Sequence, residues 1–534
     1  MKIKNKITTL LSVAFAFSSL SQDIEVRNGS QFKMDKNNEE INTILDASPE
    51  NFTFLVQKRR NFKLMSLDAE LDIDATYDIE LPEVNGRKVK FLEAQQAKEN
   101  SYFYSQHFDR KADEMFMFAS KLNIENGKFE EHFEGVKVQD DKFNSFQRPF
   151  RIINSIDSSK ILIVTNYPIK SKENARFAFK VVDKDYNTLW QNDIVFDEEG
   201  RNFTADNFLV DKNGNIHVVA TVRLSREEKK EKGAKSRFVT NIYSYFHEEN
   251  ELKQYEIGFK DEIILSANVR VNKDNELICT GFYGESKFFD AGMKGLFFLR
   301  IDANTKEVVS SNLSAFDKDF LAQVMKERRA KKGKSLNNFL VRDVFVHADG
   351  GMSVVTEKYI YVESTDENGE VTRRQWTYGD VAVFFLSPEG EVETYSVIKK
   401  NQYAASSGSL INGLMASAGI SLYPGANEVP YYGIASMMKN DVVYILYNAN
   451  PKNLERAQAG KKPKSVRQRT SVTQLVMLDR EGTADVSVLF KSKDKDAGYK
   501  MPLMPRYSYE HSEGAMLIIG RKGKNARVTE VKVN

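Results

Sequence analysis

The chain has 534 residues, 41% of them hydrophobic and 11% aromatic, enough for a large packed core and too apolar for a disordered segment. Its 77 basic and 75 acidic residues leave a net charge of +2, which excludes a global field of the kind that draws a protein to nucleic acid. A single cysteine, Cys279, excludes an internal disulfide, so stability has to come from burial and from sheet closure.

Residues 1–21 read as a signal peptide. Lys2, Lys4 and Lys6 precede an apolar run from Ile7 to Phe17, too short to span a bilayer, and Ser19-Leu20-Ser21 places small residues before a cleavage point at Gln22. Residues 22–51 are polar and acid-rich, and are expected to be a flexible lead-in.

From residue 52 the chain alternates β-branched or aromatic runs with Asp, Asn and Gly turns. Phe54–Val56, Phe62–Leu67 and Tyr77–Leu81 are short strands. Val89–Leu92, Ser101–Phe108, Glu114–Leu122 and Phe129–Val138 follow, with one helical turn expected over Glu93–Glu99. Next come Phe150–Ile156, Lys160–Asn166, Phe177–Val182 and Thr188–Phe196, then Asn207–Val210, Ile216–Leu224, Val239–Phe246 and Glu251–Phe259. A further set is Ser266–Val271, Glu276–Phe282, Gly295–Ile301 and Val308–Leu313. The clearest copy is Leu340–His347, Met352–Val362, Asp380–Leu386 and Glu391–Ile398. Gly433–Met437, Asp441–Asn448, Thr473–Leu478 and Asp485–Phe490 repeat it, and Arg506–Glu510, Ala515–Gly520 and Arg527–Val533 end the chain.

A four-strand unit recurring about every 50–60 residues predicts an all-β chain forming a single β-propeller over 52–534. Six full units, plus terminal pieces that complete another, predict seven four-stranded blades closed by pairing of the N- and C-terminal strands, with six or eight as the alternatives. Two β-sandwiches are the rival, but they would not show the regular alternation of short turn, long loop and short turn.

That alternation sorts the connections by face. The long ones are Ser225–Arg237, Tyr283–Lys294, Ser314–Phe339, Glu363–Gly379, Asn401–Pro430 and Ala449–Thr470. They are expected on one face, where binding residues commonly gather. Three carry basic segments: SREEKKEKGAKSR (225–237), KERRAKKGKS (326–335) and RAQAGKKPKSVRQR (456–469). Arg328, Arg329, Lys331, Lys332, Lys461, Lys462 and Lys464 are therefore candidate contacts for an acidic protein surface or an anionic polysaccharide, against the plainer reading of charge kept for solubility. Export and the lack of interleaved aromatics argue against nucleic acid.

Asp317–Lys332 is expected to be one helix, with Asp317 or Asp319 as its cap and Phe320, Leu321, Val324 and Met325 as an apolar stripe packed on the sheets. The insertion 404–426, AASSGSLINGLMASAGISLYPGA, is uncharged. Its Leu410, Leu414, Met415 and Ile420 either cover their own propeller or meet a partner.

Catalytic signatures are absent. His107, His132, His217, His247, His347 and His511 lack metal-ligand spacing, and no nucleophile elbow, phosphate loop or HExxH motif occurs. Asp211-Lys212-Asn213-Gly214-Asn215 reads as a hairpin turn rather than a calcium loop, and Cys279 as a buried, inert thiol. No cofactor or metal is expected.

DVAVFFLSPEGEVETYSVIKKNQ (380–402) together with DVVYILYNANPKNLE (441–455) resembles a family of exported Bacteroidota β-propellers of uncharacterised function. The resemblance implies export and fold, and transfers no catalytic residue. With a chain that ends on the strand ARVTEVKVN, it points to the periplasm or the outer membrane. The expected function is a non-enzymatic envelope binding or assembly module with a protein partner, by analogy a subunit of an outer-membrane complex such as the type IX translocon. The alternative is a carbohydrate-active enzyme or glycan-binding lectin with its site at the channel mouth.

Overall fold

The computed structural model describes residues 24–34, 39–47, 52–58, 60–168, 172–234, 236–257, 262–285, 292–332, 334–367, 370–407, 429–467, 470–491 and 501–534. Among these residues the strands form eight sheets of four or five strands each, and one small two-stranded ribbon. In seven of the sheets the strands follow in chain order and pair antiparallel with their neighbours. Glu39–Ala47, Phe52–Lys58, Asn61–Leu67 and Ile73–Ile79 make the first. The second starts at Lys90–Ala97, the third at Phe150–Asn154, the fourth at Phe203–Val210, the fifth at Ile263–Ile264 with Asn268–Val271 continuing along the same partner strand, the sixth at Phe339–Val346 and the seventh at Ala435–Lys439. The eighth joins the two ends: Ile24–Asn28 pairs with Asn525–Val533, alongside Ala515–Lys522 and Leu503–Ser512.

Each sheet packs on the next. Phe179, Ile194 and Phe196 of the third meet Phe203, Phe208 and Val218 of the fourth; Phe298 of the fifth meets Val354 and Phe384 of the sixth. The eighth packs back on the first, where Leu517, Ile519 and Val528 meet Phe52, Phe54 and Leu67. Sheets stacked face to face in sequence order are the packing of a β-propeller. A middle strand is then covered on both faces, so it is apolar without alternation: Ile161 to Thr165 of KILIVTN are all buried. The last strand of a sheet is half bare, and Thr188–Glu199 buries only two of its residues.

Several expectations need correction. There are eight sheets where seven were expected, because the supposed lead-in supplies strands of its own: Ile24–Asn28, Phe32–Lys33 and Glu39–Ala47. The last of these is bulged between Ile41 and Thr43 and again between Ile44 and Asp46, which erases the period of two. It completes the first sheet and releases the terminal strands to form the eighth. Glu93 to Ala97 is strand, not a helical turn, and is likewise bulged opposite Tyr104–Ser105. The polar stretch 363–379 is mostly strand: Met352–Thr365 and Val371–Leu386 form one long hairpin, with Gln402–Ser407 added to its outer half. The strands also run further into Tyr283–Lys294 than expected, to Glu285 and from Gly292. The single helix expected over 317–332 is two, Lys318–Val324 and Glu327–Lys331, broken where Met325 turns extended. Its Asp317 cap accepts from the Phe320 amide at 2.6 Å, and Phe320, Leu321 and Val324 are buried against the sheets. The signal-peptide reading lies outside the described residues.

The hairpins share one five-residue turn. In 68–72, 183–187, 211–215, 272–276, 347–351, 387–391 and 479–483 the first residue bonds the fifth through the backbone, and the fourth amide donates to the first carbonyl. The fourth residue takes positive φ, filled by Gly214, Gly350, Gly390 and Gly482 but also by Leu71, Tyr186 and Asn275. In most, the first side chain accepts from amides two and four residues on; Asp211 Oδ1 takes Asn213 at 2.8 Å and Asn215 at 2.9 Å. That carboxylate is thus occupied by its own turn. Cys279 is fully buried, and burial pushes its thiol pKa far up.

The turn geometry sets a graded test. Gly350 has φ +88°, and a Cβ there would make only ordinary van der Waals contacts, 3.6 Å to Arg300 Nη1 and 3.9 Å to Pro388 Cβ, so Gly350→Ala should lower unfolding stability by about 1 kcal/mol, the cost of the left-handed backbone. At Gly390 the same Cβ would meet the Phe298 ring at 2.3 Å, so Gly390→Ala should cost clearly more in a urea denaturation series.

Candidate functional site

Two places in this fold gather chemistry. The first is the face carrying the long connections. Helix Arg226–Glu231 sits in the 225–237 connection with a Ser225–Glu228 capping box and no buried residue. Arg328, Arg329 and Lys331 are exposed on helix Glu327–Lys331, with Lys332 following it, and Lys331 pairs with Glu327 at 2.7 Å. Helix Asn453–Gln458 precedes the exposed Lys461, Lys462 and Lys464, and amide side chains fold this loop compactly. Asn453 Nδ2 donates to the Lys464 carbonyl at 3.0 Å, and Asn450 Nδ2 to that of Ser465 at 3.0 Å.

Residues 399–401 touch one basic segment and the helix that precedes another. Lys399 Nζ donates to the Gln323 carbonyl, at the end of the helix before Glu327–Lys331. Asn401 Nδ2 donates to the Pro463 carbonyl at 3.4 Å, and the Val466 amide to that of Asn401 at 3.3 Å. Residues 399–401 therefore run between helix Lys318–Val324, which leads into 326–335, and the loop 456–469. The third segment, 225–237, closes on its own sheet through Leu224 and Arg237. Leu410, Leu414, Met415 and Ile420 lie outside the described residues.

The segment leading to that insertion is anchored by a buried charge cluster. Glu357, fully buried, is paired with Lys400 and with Arg342, whose Nε donates at 2.7 Å. Burial raises the Glu357 carboxyl, but the two cations outweigh it and hold the group below the usual carboxylate range. Gln402 then accepts from Gly433 N at 2.8 Å and donates to the Asn448 carbonyl at 2.8 Å, while Asn448 Nδ2 donates to the Tyr431 and Leu503 carbonyls. One network so ties the sixth, seventh and eighth sheets. Glu357→Leu alone should cost about 3–5 kcal/mol, since it strands two buried cations, whereas adding Lys400→Met should recover part of that loss in a double-mutant cycle.

The second place is lined by the first strands of the sheets, which approach one another. Asp343 of the sixth sheet bonds Ser436 of the seventh and faces Arg270, Arg342 and Arg506; burial nevertheless holds its carboxyl above the ordinary range. Glu510 of the eighth sheet is reached by water yet closely flanked by protein. Burial, with the nearby Asp343 and Glu513 charges, raises its pKa to about 7.

Beside it opens a cavity of about 530 Å3 between the first, second, third and eighth sheets, lined by residues including Thr43, Gln95, Asn154, Ile156, Tyr509 and His511. Among the described residues no group of three or more His, Cys, Asp or Glu side chains is placed to hold a metal ion. Of these axial residues the sequence singled out only His511, and only as a histidine without metal-ligand spacing. Their only trace was polar side chains in otherwise apolar first strands, which signals nothing without the three-dimensional assembly.

The Glu510 pKa sets a pH dependence. A folded-state value near 7, above the unfolded 4.5, means that protonation favours the fold and that stability falls as pH rises from 4.5 to 7. Glu510→Gln, a neutral mimic, should therefore raise the melting temperature at pH 8 and leave it nearly unchanged at pH 4.5, as read by scanning calorimetry.

No protein-family model matches the chain, and no curated protein matches it. Solved structures with related outlines include the WD40 domain of SCAP from fission yeast, at 9% identity over 96% of this chain and 98% of that one, TM-score 0.40. The Dos1 propeller shares 7% identity over 94% of each chain, TM-score 0.41. A protein of unknown function from Bacteroides caccae shares 10% identity over 68% of this chain and 94% of that one, TM-score 0.26. The fold assignment rests on the strand pairing and sheet packing described above.

Proposed function

We propose that this chain is a non-enzymatic binding or assembly module of the cell envelope, built as an eight-bladed β-propeller. In this reading each of the eight sheets is a blade, and Ile24–Asn28 closes the ring as the outer strand of the eighth. The partner is a periplasmic or outer-membrane protein with an acidic surface, and an anionic polysaccharide would meet the same charge. An outer-membrane complex of the type IX translocon kind is the analogy the resemblance suggests. Export rests on the basic and apolar N-terminal sequence. Among the described residues no helix is long and apolar enough to cross a membrane.

One observation carries the reading: 399–401, the segment that leads into the uncharged insertion, touches both the helix that leads into the exposed cations of 326–335 and the loop that carries those of 456–469. Charge flanking an apolar stretch on a fixed base suits a partner surface with an apolar centre and an acidic rim. The buried Glu357–Lys400 pair keeps that base in place.

The test is affinity capture of the tagged full chain from envelope fractions, followed by mass spectrometry. Variants with Lys461, Lys462 and Lys464 changed to Glu, or lacking residues 408–426, should lose the partner that the unaltered chain retains. If both variants retain it, the long-connection face is not the binding surface.

A further inference from the structure

The chain is nearly neutral, yet its charge is sorted by face. The seven five-residue turns all join a first strand to a second or a third to a fourth, so they emerge at one end of the sheets. Together they carry thirteen acidic residues and four basic ones. The three basic segments emerge at the other end, and among their described residues sixteen are basic and four acidic.

The sorting is also in register along the sheets. Segment 326–335 leads into the sixth sheet, and 456–469 joins the second and third strands of the seventh. At the far ends of the same two sheets stand Asp349, Glu389, Glu391, Asp479 and Glu481. The only Lys or Arg in those turns, Arg480, is taken up by Asp349 at 2.6 Å and Glu393 at 3.2 Å.

The second and third sheets repeat the correspondence in apolar form. Connection 140–149, between their last and first strands, carries Phe146, which is 91% exposed. The loop is braced. Phe146 N donates to Asn144 Oδ1 at 3.0 Å, Lys90 Nζ to the Ser145 carbonyl at 2.9 Å and Gln106 Nε2 to the Gln147 carbonyl at 2.7 Å. A bare aromatic ring on a fixed loop suits an anchor, because little freedom is left to lose on docking. At the far ends of the first strands of these sheets opens the cavity of about 530 Å3, with Ile44, Ile156 and Tyr509 in its walls. Ile156 is itself 63% exposed.

We infer that the acidic surface met by the long-connection face is the short-turn face of a second copy of this chain, stacked head to tail. The inference rests on the reading that the long-connection face binds an acidic surface, and names that surface. A copy moved along the strand direction without turning over sets 326–335 and 456–469 against the acidic turns of the next copy's sixth and seventh sheets, and Phe146 towards its cavity. The contact pairs two different patches, so each added copy offers a fresh one. Pairing two long-connection faces would instead set cations against cations.

Sedimentation velocity on the purified full chain, over a concentration series at about 50 mM and about 500 mM NaCl, tests the stack. At low salt the chain should grow past a dimer as concentration rises, and high salt should weaken association about ten-fold or more. Phe146→Ser should weaken it about ten-fold with an unchanged melting temperature, since the ring is bare in the single chain. The triple change Lys461→Glu, Lys462→Glu and Lys464→Glu reverses charge on one face, and Glu389→Lys, Glu391→Lys and Glu481→Lys on the other. Neither variant alone should grow, whereas an equal mixture should regain association. The inference is overturned if the unaltered chain stays a monomer or stops at a dimer, if either triple variant grows like the unaltered chain, or if the mixture does not associate. A monomer that still captures an envelope partner, and loses it with the triple lysine change, overturns the stack and leaves the proposed function standing.

Discussion

The pairing of Ile24–Asn28 with Thr529–Val533 is the constraint on which the rest of the structure depends. A stack of sheets that did not meet itself would present a bare edge and a bare apolar face at each end, an invitation to aggregation. Here the eighth sheet takes its outer strand from the N-terminal region and lays its inner face on the first sheet. Arg27 on the N-terminal strand binds Glu530 at 2.9 Å, and Glu530 binds His511. The contact that joins the two ends of the chain therefore also orients a wall of the axial cavity.

Covering both faces of every sheet confines polar chemistry to what remains. The middle strands are largely apolar where sheets cover both faces, as VVYIL at 442–446 and AMLII at 515–519 show. Polar side chains collect where sheets do not meet: along the first strands and in the connections. The axial location is mixed polar and apolar and is flanked by four sheets; three of the connections are charged and exposed.

How much of this the sequence disclosed follows from the same division. The repeating units were legible because doubly covered strands are long apolar runs, and because their turns use Asp, Asn and Gly for reasons of backbone geometry. The opening strand of the first sheet and the N-terminal strands were not. EEINTILDA is bulged twice, FLEAQQA once, and both lose the alternation that betrays a strand. The 352–386 hairpin was read as a loop at its tip because both strands leave the sheet there and turn polar, with Arg373 and Arg374 in the ladder. The basic segments were visible as local runs, but not that 399–401 touches one of them and the helix before another. The cavity was beyond reach, since Gln95, Asn154 and His511 come from three sheets and no spacing relates them. The carboxylates Asp343 and Glu510, from the sixth and eighth sheets, likewise owe their neighbourhood to assembly alone.

The union of Arg27 and Glu530 joins positions 503 residues apart. Nothing local can stand in for it, and it forms only after every intervening unit has been synthesised and stacked. A polypeptide interrupted anywhere along that span keeps two open flanks, and those flanks are what chaperones and proteases recognise. The seam thus doubles as an inspection of completeness: an intact product hides its edges, and a truncated one displays them.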